Sequence, residues 1–192
     1  MFPWQAFLTY IIIVAATPGP NNIMSMNNAA QKGFRKAMPF NFGIFTGFIL
    51  VLILCTVFSS LLFALIPRIQ FPMQVLGAAY MLYLAIKPFL HSKNREVKNS
   101  NGNFIIGMIL QFVNPKLYLY AITAISSFIL PWYTEIPILA FFIFLLAFVA
   151  FVFTVCWSFF GSLFTKIFSK HGRIINVVMA LLLVYTAVSL FL

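Results

Sequence analysis

The residues of this sequence that could bind a ligand lie where prolines interrupt apolar stretches. The first interruption is TPGPNN, residues 17–22, inside a run from Trp4 to Ala30 that contains no Asp, Glu, Lys or Arg. Each proline removes a backbone donor and clashes with the preceding turn, so a helix kinks or ends there. A helix that restarts near Pro20 presents peptide N–H groups and a positive dipole end, which together suit a carboxylate.

A second interruption places a lysine directly after a proline, in the sequence QFVNPKLYLY of residues 111–120. Asn114 and Pro115 would end one helical segment, and Lys116 would lie at the start of the next. A cation at mid-membrane costs roughly 3 kcal/mol on insertion scales and is normally functional or paired. The apolar runs contain no Asp or Glu to pair with it. Lys116 is therefore a candidate partner for an anionic ligand.

Polar side chains recur every three or four residues around both interruptions, so each set shares one face of a helix. The two sets are Thr17, Asn21, Ser25 and Asn28, and Gly107, Gln111, Asn114 and Tyr118. Such stripes either line a central cavity or hydrogen-bond neighbouring helices to each other. The predicted substrate-binding residues are Pro18, Gly19, Pro20, Asn21, Asn22, Gln111, Asn114 and Lys116.

The composition requires a membrane to surround these elements. Hydrophobic residues make up 63% of the 192 and charged residues only 7%, too little polar surface for a soluble domain. The net charge of +10 does not indicate nucleic-acid binding, because the cations lie in short tracts between apolar runs. Cys55 and Cys156 have no Cys or His neighbour at ligand spacing, so no metal or other cofactor is predicted.

Six apolar runs are each long enough for a membrane helix, which needs about 20 residues. They are Trp4–Ala30, Pro39–Ile66, Phe71–Pro88, Phe104–Leu130, Ile136–Phe164 and Ile174–Leu192. Alternating polarity, as in barrel strands, is absent from the sequence. The prediction is an all-α integral membrane protein, with residues 1–192 forming a single transmembrane domain of six helices.

Cations in the connections predict the orientation of these helices. Three connections hold Lys32, Arg35, Lys36, Lys87, Lys93, Arg95, Lys98, Lys166, Lys170 and Arg173, whereas the opposite side holds only Arg68. The positive-inside rule places the three basic connections in the cytoplasm and both termini on the outer, periplasmic side.

The six helices divide into two repeats, residues 1–90 and 104–192, joined by a cytoplasmic connection at 91–103. Three helices per repeat invert the second repeat relative to the first. Helices 1 and 4 then carry matching interruptions near the membrane midplane, the pattern that marks a transporter binding site. Small residues at Gly43, Gly47 and Gly77 predict close helix packing.

The chain resembles the lysine-exporter/homoserine-resistance (LysE/RhtB) family of bacterial amino-acid exporters. The resemblance lies in TPGPNNI of the first span, GAAYMLYLA of the third and QFVNPK of the fourth. Similarity to the subgroup that exports cysteine and O-acetylserine lies in LYAITAISSFILP, VCWSFFGSLF and GRIINVVMALLLVYTAV. By position, the family's motif residues are Pro18, Gly19, Pro20, Asn21, Asn114 and Lys116. Pro115 matches the wider family pattern rather than that subgroup.

The resemblance implies efflux of small neutral amino acids or their acyl derivatives across the bacterial inner membrane, against proton entry. The hypothesis is therefore a multi-pass secondary transporter whose partners are the substrate, protons and membrane lipid. No nucleotide-binding loop is present, so ATP is not the predicted energy source. The apolar runs contain no Asp or Glu to relay protons, so proton coupling would use Lys116 or the substrate itself. A passive channel and a structural membrane subunit are the alternatives, and an enzyme is not predicted. A homo-oligomer is compatible with the sequence.

Overall fold

The computed structural model of the chain describes residues 1–58, 71–72, 74–86, 102–167, 172–189 and 191. Within these ranges every regular element is helical, which confirms the all-helical prediction. The elements are α1 (Trp4–Ala16), α2 (Pro20–Lys32), α3 (Phe34–Val57), α4 (Gln74–Ile86), α5 (Gly102–Phe112), α6 (Pro115–Ile122), a π-helical segment (Thr123–Ile129), α7 (Ile136–Ile167) and α8 (Gly172–Ser189).

Both helix interruptions lie at the predicted prolines. Between α1 and α2 the backbone is extended, with φ −62° and ψ 144° at Thr17 and φ −165° and ψ 175° at Gly19. Between α5 and α6 it is extended at Asn114, and the two helical segments meet at an angle of 62°. Pro20 and Pro115 each take the first helical position, where the missing N–H is not needed.

Two of the described helices, Phe34–Val57 and Ile136–Phe164, are long and apolar enough to cross a membrane. The bent pair Phe104–Phe112 and Pro115–Ile129 makes a third candidate if it is counted as one span. α1 and α4 are apolar but shorter. The six-span architecture and the inverted repeats therefore stay predictions. The central connection falls largely outside the described residues, as do the end of the second predicted span and the end of the third.

The second predicted span begins earlier than its apolar run. α3 starts at Phe34, five positions before Pro39, and Gly33 precedes it with a φ of +85° that favours glycine. Hydropathy marks the part of a helix that can lie in lipid, whereas a turn residue marks where the helix begins. Arg35 and Lys36 are thus helical residues rather than part of a loop.

α2 is a polar helix buried inside an apolar bundle. It carries four asparagines, and Asn22, Ser25 and Asn27 are buried together with Ile23 and Met24. It packs against α3, α7 and α8. Neighbouring helices, rather than lipid, surround its amide and hydroxyl groups, which is the condition under which polar side chains persist at membrane depth.

Glycines let α3 and α5 approach closely. A methyl group at Gly43 would overlap the carbonyl of Phe104, and one at Gly47 would overlap the carbonyl of Met108. From the other side, a methyl group at Gly107 would overlap the carbonyl of Phe40. The remaining predicted packing glycine, Gly77, is half-buried in α4. The tight contact fixes α5, the helix that precedes the restart at α6, against α3.

Candidate functional site

The restarted helices α2 and α6 begin at one shared cavity. Its polar wall consists of Gly19, Pro20, Asn21, Asn22, Asn114, Lys116 and Thr154. Its apolar wall consists of Val14, Ala15, Phe48, Leu117, Tyr120 and Ala150. No side chain caps the N-terminus of α2 or of α6 among the described residues. The first turns of two helices therefore lie at the cavity wall, where their dipoles favour negative charge.

Lys116 crosses from α6 to the end of α1. Its Nζ donates hydrogen bonds to the Thr17 carbonyl at 3.1 Å and to Thr17 Oγ1 at 2.9 Å. The lysine stem passes over Gly19, where an added methyl group would lie 2.8 Å from Nζ. The ammonium thus lies between the negative C-terminal end of α1 and the cavity. A carboxylate in the cavity would be a second partner for the same cation.

An amide network joins the two interruptions. Asn21 Nδ2 donates to Gln111 Oε1 at 2.7 Å, and Gln111 Nε2 donates back to Asn21 Oδ1 at 3.1 Å. Asn114 Nδ2 donates to the same Asn21 oxygen at 3.1 Å. Gln111 is fixed from behind by a bond to the Gly107 carbonyl at 2.9 Å. This network holds the two helix N-termini in a defined relation across the cavity.

One acceptor in this network lacks a partner. Asn114 Oδ1 is buried without a hydrogen bond among the described residues, although the Asn114 side chain lines the cavity. A buried polar atom without a partner costs about 1–3 kcal/mol. An ammonium or hydroxyl group of a ligand would satisfy this oxygen.

The carbonyls at the end of α1 are satisfied by side chains of the protein. Asn22 Nδ2 donates to the carbonyls of Ala15, at 2.8 Å, and Thr17, at 3.0 Å. Trp157 Nε1 donates to the Ala16 carbonyl at 3.2 Å, and Thr154 Oγ1 orients Asn22 through its Oδ1 at 3.3 Å. The interruption therefore leaves few free acceptors at the end of α1, whereas no side chain caps the first turn of α2.

The structure brings six of the eight predicted binding residues to the cavity wall. The other two lie elsewhere: Gln111 is fully buried behind Asn21, and Pro18 is exposed outside the lining. Sequence analysis missed three residues of the cavity wall, Thr154, Phe48 and Tyr120. Thr154 had a signal, because Thr154, Ser158 and Ser162 are hydroxyl residues spaced by four in an otherwise apolar run. The two aromatic rings had none, since phenylalanine and tyrosine are frequent along this chain.

The cavity is small in this conformation. Its volume of about 40 Å³ accommodates one or two waters, given a share of about 30 Å³ per molecule in the liquid. Tyr120 restricts it, since its ring packs edge-on against Phe48 at 5.7 Å and its hydroxyl donates to the Leu146 carbonyl at 3.4 Å. An organic ligand would require the surrounding helices to separate.

Comparison with known proteins identifies relatives over nearly the whole chain. The sequence profile described as LysE type translocator matches residues 12–192. A cysteine/O-acetylserine efflux protein of Salmonella paratyphi A is 39% identical over 194 residues, covering 97% of this chain and 96% of the relative. The Escherichia coli K12 protein of the same name is 38% identical with the same coverage. No solved structure matches the chain significantly.

Proposed function

The chain belongs to the LysE family of translocators, and on that premise we propose that it exports small neutral amino acids across the bacterial inner membrane. The proposed substrates are cysteine, O-acetylserine and similar compounds, and proton entry is the proposed energy source. Relatives named as cysteine/O-acetylserine efflux proteins support this substrate class. The structural observation that carries the proposal is the convergence of two uncapped helix N-termini and Lys116 on one cavity.

The carboxylate of the substrate binds at the helix starts. Free peptide N–H groups in the first turns of α2 and α6 donate hydrogen bonds to it at the cavity wall, and Lys116 provides the balancing charge. Hydrogen bonds to charged groups contribute about 1.5–3 kcal/mol each, more than bonds between neutral groups. All amino acids carry this carboxylate, so this part of the site recognises amino acids as a class and does not distinguish one from another.

The amino group and the side chain bind on the remaining walls. Asn114 Oδ1 accepts a hydrogen bond from the substrate ammonium, which satisfies an atom that otherwise has no partner among the described residues. Phe48, Leu117 and Tyr120 form the apolar wall against the side chain. A wall of this kind suits a short thiol or acetyl ester better than a charged side chain.

Substrate binding also changes what Lys116 contacts. In the small cavity described above, the ammonium is held by Thr17 of α1. A carboxylate that enters the cavity competes for the same three N–H donors. Exchange of one set of bonds for another loosens α1 from α6 at little net cost. Separation of these segments is the movement we propose for alternating access.

Replacement of Lys116 tests the proposal. Cells that overexpress Lys116→Met are expected to lose efflux of O-acetylserine by about 10- to 100-fold, the equivalent of about 1.5–3 kcal/mol. Lys116→Arg keeps the charge and is expected to retain part of the activity, although its fork-shaped head changes the geometry. Amino acids in the medium are measured against time, and the amount of protein in the membrane is compared. Undiminished export by Lys116→Met would refute the role of this lysine.

A further inference from the structure

A second, larger concavity, open to the surface and lined mostly by exposed or half-buried residues, lies at the opposite end of α2. It has a volume of about 660 Å³ and includes Lys32, Arg35, Lys36, Phe159 and Ser162 in its wall. The turn between α2 and α3 forms its rim, and sequence analysis places this basic connection on the cytoplasmic side. Three cationic side chains at its mouth raise the local concentration of carboxylates. We refer to it as the basic vestibule.

Hydroxyl side chains on α7 connect the two cavities. Thr154 lines the central cavity, Ser162 lines the basic vestibule, and Ser158 lies midway between them. The spacing of four residues places the three on one helix face, over a distance of about 12 Å. All three are buried. An otherwise apolar helix therefore carries a continuous polar strip from one cavity to the other.

The middle of this strip is buried and incompletely hydrogen-bonded. Asn41 Nδ2 donates to Ser158 Oγ at 2.8 Å, and Ser158 Oγ donates to the Ser25 carbonyl at 3.2 Å. Yet Asn41 Oδ1, Ser25 Oγ and Asn28 Nδ2 have no partner among the described residues. Side chains that served only to join helices would be expected to satisfy one another, since a lone buried polar atom loses water and gains nothing.

We propose that this polar strip is the route by which the amino acid passes from the basic vestibule to the central cavity. Ser25, Asn41 and Ser158 form an intermediate polar site on that route. Asn41 Oδ1 and Ser25 Oγ accept hydrogen bonds from the ammonium of a zwitterion, and Asn28 Nδ2 donates to its carboxylate. The inference rests on the proposed export function, to which it adds a path and a second binding site.

The route is closed in this structure. The bonds from Asn41 to Ser158 and from Ser158 to Ser25 join α2, α3 and α7 across it. Beyond them, Gly161 of α7 packs so closely on α2 that a methyl group there would overlap the Met26 carbonyl. Opening requires α7 to move away from α2, and water or substrate then replaces the broken hydrogen bonds.

Thiol accessibility tests the route. Ser158→Cys is made in a chain with Cys55→Ala and Cys156→Ala, and inside-out vesicles are treated with a small charged methanethiosulfonate reagent. The matched control is the Cys55→Ala chain, in which natural Cys156 lies two positions away on α7. Cys156 is exposed on a helix apolar enough to cross a membrane, so lipid rather than water would cover its thiol. The introduced thiol is expected to react about tenfold faster than Cys156, because only a thiol in contact with water forms the reactive thiolate.

The substrate supplies the second readout. O-acetylserine, which has no thiol of its own, is expected to slow modification of the introduced thiol and to leave Cys156 unaffected. An introduced thiol that is as unreactive as Cys156, in vesicles that export O-acetylserine, would overturn the route. Ser25→Cys, on the facing helix, gives the same measurement if Ser158→Cys does not reach the membrane. An unmodified chain that exports no O-acetylserine would instead reject the proposed function, while reactivity of the introduced thiol still reports access of water.

Discussion

At the scale of single residues, Gly19 is required for space rather than for backbone freedom. Its φ of −165° is extended backbone that any residue adopts. A side chain would displace the lysine, because a methyl group would lie 2.8 Å from Lys116 Nζ and 2.9 Å from its Cδ. The glycine and the lysine therefore form one unit, although 97 positions separate them in the chain.

Gly19→Ala is accordingly expected to displace Lys116 from Thr17 and lower efflux by about tenfold, the loss of roughly one charged hydrogen bond. The lysine end is flexible enough to move, so the protein should remain in the membrane at normal levels. Efflux of O-acetylserine and membrane protein content are measured together. Ala79→Val, at an exposed position of α4, is the control. Normal efflux by Gly19→Ala would show that the position of the lysine is unimportant.

Sequence analysis identified several residues of the cavity wall but not the side chains and carbonyls to which they hydrogen-bond. Asn21, Asn114 and Lys116 could be selected because polar and charged groups are rare in apolar runs. The reciprocal bond of Asn21 with Gln111 spans 90 positions, and that of Trp157 with Ala16 spans 141. Such pairs depend on how distant helices cross, and local spacing carries no information about the crossing. For that reason the sequence predicts contact between Gln111 and the ligand, whereas the structure places Gln111 behind Asn21.

At the scale of helices, local chemistry explains which boundaries were predictable. The interruptions at Pro20 and Pro115 follow from a missing donor and a steric clash, both of which act within one turn. The π-helical segment after α6, in which Leu130 N–H donates to the Ile125 carbonyl five residues back, has no comparable signal. It widens the helix where Ala124, Ile125 and Ile129 pack into the core, so tertiary packing determines it.

The contact between α3 and α5 makes a prediction about stability. Gly43→Ala forces a methyl group against the Phe104 carbonyl, which is backbone and cannot move independently. Overpacking of this kind costs about 1–3 kcal/mol. Thermal unfolding of the detergent-solubilised protein is therefore expected at a lower temperature than for the unmodified chain. Ala140→Val, at an exposed position of α7, should leave the temperature unchanged. Equal stability of both variants would contradict the close approach of α3 and α5.

At the scale of the whole molecule, energy coupling separates a pump from a channel. No Asp or Glu lies in the apolar runs, so Lys116 is the charged side chain of the central cavity. In proteoliposomes, an imposed pH gradient is expected to drive O-acetylserine against its own concentration gradient, and a protonophore should abolish this accumulation. The measurement is internal substrate over time, with Lys116→Met as the inactive control. Flux that only equalises the two concentrations, with or without protonophore, would identify a passive channel.

The membrane character of the molecule was predictable from composition, whereas its inverted repeat is a prediction from the distribution of charge and helix breaks. An apolar content of 63% excludes a soluble domain by itself. The inverted repeat, in contrast, depends on helix directions on both sides of a connection that lies largely outside the described residues. Six spans with both termini on the outer side thus remain predictions from the distribution of lysine and arginine.

The burial of α2 has a consequence for biosynthesis. This helix holds its asparagines apart from lipid because later helices, α7 above all, cover them, and Thr154 of α7 bonds to Asn22 across 132 positions of chain. The ribosome therefore completes α2 long before it synthesises α7, the helix that covers α2. The nascent segment is too polar to be stable alone in hydrocarbon, so it must wait beside the insertion machinery or at the headgroup layer. Chains that terminate early should be short-lived targets of membrane quality control.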